Sequence, residues 1–150
     1  MSAEKIHYLE DLQVGQRFVS GSYTVTLAEI IEFATRFDPQ PFHLNEAAAR
    51  ASLFGGLAAS GWHTASITMR LNVTGGLPVA GGIIGAGGEI AWPRPTRPGD
   101  TLHVESEILD IKPSKSRPDR GMVTIRSETR IQSGDVVQVL TAKLVVPRRG

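Results

Sequence analysis

Ser60-Gly61-Trp62-His63-Thr64-Ala65-Ser66-Ile67-Thr68-Met69-Arg70-Leu71-Asn72-Val73-Thr74-Gly75-Gly76 is the longest helical run in the chain, and its reading decides the fold. Ser60 is a good N-cap residue. Gly75-Gly76 supplies the C-terminal stop. The predicted helix, Gly61 to about Thr74, carries small, aromatic and aliphatic residues on most of its faces and one formal charge, Arg70. A helix that is nearly apolar all round belongs inside a domain. This one is expected at the centre.

The chain after this helix is strand-like. Ile83 to Trp92 is one run, loosened by Gly85, Gly87 and Gly88. Pro93-Arg94-Pro95-Thr96-Arg97-Pro98-Gly99-Asp100 is a proline-rich connection. Leu102 to Ile111 alternates through Leu102, Val104, Ser106 and Ile108, and Met122 to Ile131 through Val123, Ile125, Ser127, Thr129 and Ile131. Lys112 to Arg120 is a polar hairpin loop, Ser133-Gly134-Asp135 a tight turn, and Val136 to Val146 a last strand. Connections this short make antiparallel hairpins. One central helix with a strand-rich second half predicts an α+β fold, helices on one face of the sheet. No internal repeat or linker interrupts residues 1–150, so one domain is expected.

Ahead of the central helix, Asp11 to Gly15 reads as a turn and Gln16 to Thr24 as a strand with Gly21 as a bulge. Thr26 and Glu29 form a capping box. The helix it starts, Leu27 to Phe37, puts Leu27, Ile30, Ile31, Ala34 and Phe37 on one stripe. Asn45 caps a short helix through Ala51, and Phe54-Gly55-Gly56-Leu57 makes a loose turn.

Composition excludes several classes. A formal net charge of +1 gives no reason to expect nucleic acid or a membrane surface as partner. Without cysteine there is no disulfide, thiol nucleophile or thiolate metal site. Met1 to Leu12 is polar and mixed in charge, unlike a signal peptide. No apolar run is long enough to span a bilayer. A cytoplasmic location is expected. There is no Walker loop. Gly81 to Gly88 lacks the dinucleotide spacing, and no G-x-S-x-G elbow exists. His7, His43, His63 and His103 are scattered without metal-ligand spacing, so no metal is expected.

What remains is Phe37-Asp38-Pro39-Gln40-Pro41-Phe42-His43. Asp38 and Gln40 each precede a proline and are pushed to extended geometry. Each proline fixes its own φ. A stiff bridge thus carries an acid and an imidazole, which can share one water. Ser60-Gly61 comes later at a helix start, where free N–H groups and the positive end of the helix dipole can hold an anion or a developing oxyanion. Gly61 also lets a ligand approach the backbone closely. A substrate carbonyl that grows more negative while water adds nearby would suit this set.

The stretch Phe33 through Ala49, continued by Phe54-Gly55-Gly56-Leu57-Ala58-Ala59-Ser60-Gly61, resembles the hydratase motif of MaoC-like dehydratases, the (R)-specific enoyl-CoA hydratases. Glu89 through Leu102 and the loop Ser114 through Gly121 extend the resemblance over most of the chain. It implies a hot-dog fold, a long central helix wrapped by an antiparallel sheet. It also implies a homodimer or a dimer of such dimers. The implied reaction is reversible addition of water to a trans-2-enoyl-CoA, giving an (R)-3-hydroxyacyl-CoA. Asp38 and His43 match the pair that activates water. Gly61, with Ser60 before it, matches the residue whose N–H polarises the thioester carbonyl. No cofactor is implied beyond coenzyme A as part of the substrate.

The chain departs from the family pattern at Phe37, where glycine is usual, at Gln40, where asparagine is usual, and near Met69, where a serine is frequent. These bear on the substrate; Phe37 is expected to narrow the acyl pocket. Coenzyme A needs basic residues for its phosphates. Arg94, Arg97, Lys112, Lys115, Arg117 and Arg120 cluster in two loops, where any single one reads most simply as a solvated charge; Lys115 and Arg117 are the first candidates, with Arg94 after them. His63 and His103 are expected to be structural, and Trp62 and Trp92 core or interface residues. The same fold hosts thioester hydrolysis, so a thioesterase is an alternative. A non-catalytic acyl-thioester binding module is another.

Overall fold

The computed structural model of the protein describes residues 5–150; the first four residues of the polar N-terminal stretch lie outside the described residues. A single 3₁₀ turn at Leu9–Asp11 leads to β1 (Arg17–Thr24). Ser20-Gly21 is a bulge: the register against the neighbouring strand shifts between Val19 and Ser22. The Ser20 hydroxyl there accepts from the Val104 N–H at 2.8 Å. Helix α1 (Leu27–Phe37) starts at Thr26, whose hydroxyl accepts from the Glu29 N–H while the Glu29 side chain accepts from the Thr26 N–H. The Tyr23 hydroxyl also donates to Glu29. Only Ile30 and Ala34 of the predicted stripe are buried. Leu27 is 41% and Phe37 69% exposed, because the stripe drifts off the contact line at both helix ends. Fully burying Ile30 contributes about 1.5–3 kcal/mol.

Two short helices come next, α2 (Pro41–Leu44) and α3 (Glu46–Arg50), the second capped by the Asn45 side chain on the Ala48 N–H. Then comes α4 (Gly61–Leu71), extended by a π turn at Asn72–Gly76 in which Gly75 takes φ 136° and ends the helix. The sheet is completed by β2 (Gly85–Ala91), β3 (Thr101–Pro113), β4 (Arg120–Arg130) and β5 (Val136–Pro147). Its order is β1-β3-β4-β5-β2, antiparallel throughout. The helices sit on one face. The other face is polar, with Glu105, Glu107 and Glu128 paired to Arg17, Arg126 and Arg130. This is the hot-dog arrangement, an α+β fold.

Under α4 the core is layered. One apolar cluster includes Ile30, Ile67, Leu71, Leu102 and Val104; another includes Leu9, Leu77, Ile108, Val123 and Val146. Between them runs a belt of buried polar side chains. Ser106 and Ser127 lie 2.7 Å apart, the Asn72 amide donates to Ser127, and Thr68 and Thr129 lie 2.6 Å apart. A buried hydroxyl left without a partner costs about 1–3 kcal/mol. Sliding α4 by one residue would break several of these pairs, so the belt fixes the helix's register on the sheet.

The expectation that α4 is enclosed on every side is not met within one chain. His63, Thr64, Ile67, Thr68, Leu71 and Asn72 are buried, but Trp62 is 58% and Val73 61% exposed. A sheet covers only one side of a helix, and the other elements of this chain leave the second side open.

Candidate active site

The site is built from the ends of elements. Asp38 is the C-cap of α1, and its N–H still bonds to the Ala34 carbonyl at 2.9 Å. Gln40 is extended at φ −97°, ψ 146°, as a residue before proline must be. Pro41 then opens α2, where a missing N–H costs nothing. This single-turn helix turns His43 inward, where it is 4% exposed.

His43 and Asp38 face each other, with Nε2 3.3 Å from Oδ2. The His43 Nδ1 lies 2.6 Å from the Ala58 carbonyl oxygen, an atom that can only accept. Nδ1 therefore carries the proton, and in the neutral ring Nε2 presents a lone pair toward the acid. The edge of Phe42 and the ring of Phe54 hold the imidazole plane. Ser60, fully buried, donates to Asp38 Oδ2 at 2.7 Å, and the Gln40 amide donates to Oδ1. Burial alone would raise the Asp38 carboxyl. The hydrogen bonds from Gln40 and Ser60 outweigh it and hold the acid below the usual carboxylate value.

Ser60 has a second task. Its hydroxyl accepts from the Trp62 N–H, and its carbonyl accepts from the His63 and Thr64 N–H groups. Among the described residues, the Gly61 N–H is the first-turn donor of α4 left without a protein partner. Gly61, Gln40 and His43 line one cavity of about 640 Å³ with Phe42, Phe54 and Trp92. That size suits a small-molecule ligand. The glycine also has a use that the sequence did not suggest. A Cβ on Gly61 would come 2.6 Å from the Trp92 indole, so the close approach is made by the protein's own ring.

Comparison with known proteins identifies the family. The model of the MaoC like domain matches residues 11–130. The chain belongs to the MaoC-like domain family. A MaoC-like dehydratase from Rhodospirillum rubrum, known as a crystal structure, is 67% identical and superposes with a TM-score of 0.95 over 96% of this chain and 99% of that one. An (R)-specific enoyl-CoA hydratase of the same organism is 29% identical over the full length of both chains. The R-hydratase PhaJ1 from Pseudomonas aeruginosa, in its unliganded form, is 26% identical with a TM-score of 0.75, over 95% of this chain and 86% of that one.

In this MaoC-like chain the basic residues divide. Arg94 and Arg97 both line the cavity wall. Arg97 is turned inward, its guanidinium donating to the carbonyls of Phe54, Gly56 and Leu57, so it holds the loop that carries Phe54. Lys115 and Arg117 sit beyond the far end of β3, whose thirteen residues separate them from Thr101 by about 40 Å. One chain does not bring them to the cavity. Phe37 does not line it either; it lies in a small outer cleft with Glu29, Arg36 and His63, so it does not narrow this cavity. His63 stacks on Phe33 at 4.6 Å, and burial holds its imidazole below the ordinary value against the pull of Glu29. Sequence reasoning missed the Ala58 carbonyl, because a backbone atom has no signature. It noted Gln40 as extended before a proline and as a departure, and missed that its amide is a donor to the acid. Among the described residues, no helix is long and apolar enough to cross a membrane.

Proposed function

We propose that the protein is a hydratase/dehydratase that adds water reversibly to a trans-2-enoyl-CoA, giving an (R)-3-hydroxyacyl-CoA. The observation that carries this reading is that Asp38 Oδ2 and His43 Nε2 face each other 3.3 Å apart, with Ser60 on that same Oδ2, while His43 and Gly61, the residue after Ser60, line one cavity behind which Asp38 sits. A water seated to one side of the pair, within hydrogen-bond distance of both atoms, donates one hydrogen to each, which turns an oxygen lone pair outward. The Gly61 N–H donates to the thioester oxygen and draws electron density from C3. The water oxygen bonds to C3, the C2–C3 π pair moves onto the thioester as an enolate, and one water proton passes to the Asp38–His43 pair. That proton returns to C2. Dehydration runs the same steps backward. Positioned acid–base groups contribute roughly 10²–10⁴-fold each, and a preorganised oxyanion donor roughly 10²–10³-fold.

The coenzyme A phosphates are assigned to Arg94 at the cavity wall. Lys115 and Arg117 reach a cavity only across a pair of chains. A homodimer is consistent with the exposed apolar side of α4 and with β2, whose outer edge is unpaired. The test is hydration of crotonyl-CoA, monitored by loss of the conjugated enoyl absorbance and chiral analysis of the product. Turnover to the (R)-3-hydroxy product supports the reading. Release of free thiol would instead mark a thioesterase, and tight binding with neither change would mark an acyl-thioester binding module.

A further inference from the structure

One buried residue near the site takes no part in the proposed chemistry. Gln138 is on β5, fully buried, a costly position for a carboxamide unless every polar atom is matched. It is turned inward by a bulge. Thr129 pairs with Gln138 and Arg130 with Val136, so Val137 is the extra residue in β5. Both Val137 and Gln138 then face the interior.

The Gln138 carboxamide is matched at both ends. Its Oε1 accepts from the Trp92 indole N–H at 2.9 Å, and its Nε2 donates to the Thr68 hydroxyl at 3.1 Å. An indole N–H can only donate, so the orientation of the amide is unambiguous. The Thr68 hydroxyl in turn donates to the Thr64 carbonyl and accepts from Thr129. This chain of bonds ties Trp92, just past β2, to the helix that carries Gly61. The ring itself lies flat on Gly61: its atoms Cε2, Cδ2 and Cζ2 occupy the space a Cβ would need.

Resting on the acyl-CoA reading of this site, we propose that Trp92 is the specificity-determining wall of the cavity and that Gln138 is the positioning residue that holds it there. An acyl group whose carbonyl oxygen sits on the Gly61 N–H leaves along the indole face. The residue is 39% exposed, but its ring is large, rigid and pinned at the nitrogen, so swinging aside for a longer chain breaks the bond to Gln138. On the other side the cavity is bounded by Thr64 and Thr96, both buried and joined by a 3.0 Å hydrogen bond. The substrates are therefore short, straight enoyl thioesters, with the flat conjugated group against the indole.

The chain holds two tryptophans, so Trp62→Phe leaves Trp92 as the sole indole reporter. In that background, butyryl-CoA, which cannot react, is expected to change the Trp92 emission saturably, and decanoyl-CoA to do so at least tenfold more weakly. In kinetics, Trp92→Leu is expected to raise the ratio of kcat/KM for an eight-carbon over a four-carbon enoyl-CoA at least tenfold. Trp92→Phe, which keeps a ring on Gly61, should give a smaller rise. Gln138→Leu should move the ratio the same way through KM rather than kcat and lower the steady-state anisotropy of Trp92. An unchanged ratio in Trp92→Leu, with emission indifferent to butyryl-CoA and normal crotonyl-CoA turnover, overturns the assignment and spares the hydratase reading. An emission change without turnover of any enoyl-CoA supports the wall and overturns the hydratase reading. Neither turnover nor emission change overturns both.

Discussion

The two ends of the sheet treat charge differently. At the end near Asp38, polar groups sit on stiff backbone with partners chosen atom by atom: Ser60 and Gln40 on the acid, Ala58 on the imidazole, Phe54, Gly56 and Leu57 on Arg97. At the other end, the β3–β4 loop carries Lys115 and Arg117 in solvent, and its one close ion pair, Asp119 with Arg120, is between sequence neighbours. A carboxylate held by two donors, as Asp38 is, has a set direction and a lowered pKa. Charges on a solvated loop are screened by water, and an exposed pair there adds little to stability.

The strongest way to test the contrast is Asp38→Asn. The amide keeps the shape; with its oxygen at the Oδ2 position it still accepts from Ser60, and its nitrogen at the Oδ1 position meets the exposed Gln40 carboxamide, which can turn over to accept, so the fold should survive. It cannot take a proton, and crotonyl-CoA hydration should fall by roughly 10³-fold or more. Activity within tenfold of wild type would remove Asp38 from the chemistry. Gly61→Ala comes next. Its methyl must displace the Trp92 ring, and overpacking of this kind costs about 1–3 kcal/mol, visible as a lower melting temperature together with a reduced kcat/KM.

Ser60→Ala should cost about 1 kcal/mol for the lost helix cap. It also removes a hydrogen bond that holds the Asp38 pKa down. The acid works ionised, so activity is lost as pH falls through its folded-state value; without Ser60 that value rises, and the acidic limb of kcat/KM against pH should move to higher pH. A limb that stays put would show that another group sets it. Arg94→Ala should raise KM for crotonyl-CoA several-fold while leaving KM for crotonyl-pantetheine, which lacks the nucleotide phosphates, unchanged. The smallest effect belongs to the loop. Lys115→Ala with Arg117→Ala should change stability by less than about 0.5 kcal/mol in chemical denaturation. A rise in KM that depends on protein concentration would assign these two residues to a partner chain's cavity.

Much of the fold is legible along the chain because it is local. The Thr26–Glu29 capping box, the extended Gln40 before Pro41, the Ser60 cap and the alternation of β3 and β4 each depend on neighbours within a few positions. Asp38, at φ −155° and ψ 66°, falls short of the extended geometry expected before Pro39, because its N–H is still held by the last turn of α1. The acid and the imidazole are legible for the same reason, since a short stiff bridge connects them. The polar belt is not. Nothing within reach of Thr68 in sequence indicates Thr129 or Gln138, which lie 61 and 70 residues away. Nor is the one-sided burial of α4, because composition cannot say which of several apolar faces a single sheet will cover.

By itself, then, the sequence determined the elements, their stops, the acid–imidazole pair and the family resemblance, all consequences of short-range sterics and residue chemistry. Only the tertiary structure decided that the Ala58 carbonyl assigns the His43 tautomer, that Trp92 rather than a ligand occupies the space above Gly61, and that Lys115 and Arg117 stand at the opposite end of the sheet. Those are distances between residues far apart along the chain. They are set by strand register and by which buried polar atoms find partners, and both exist only once the chain has closed on itself.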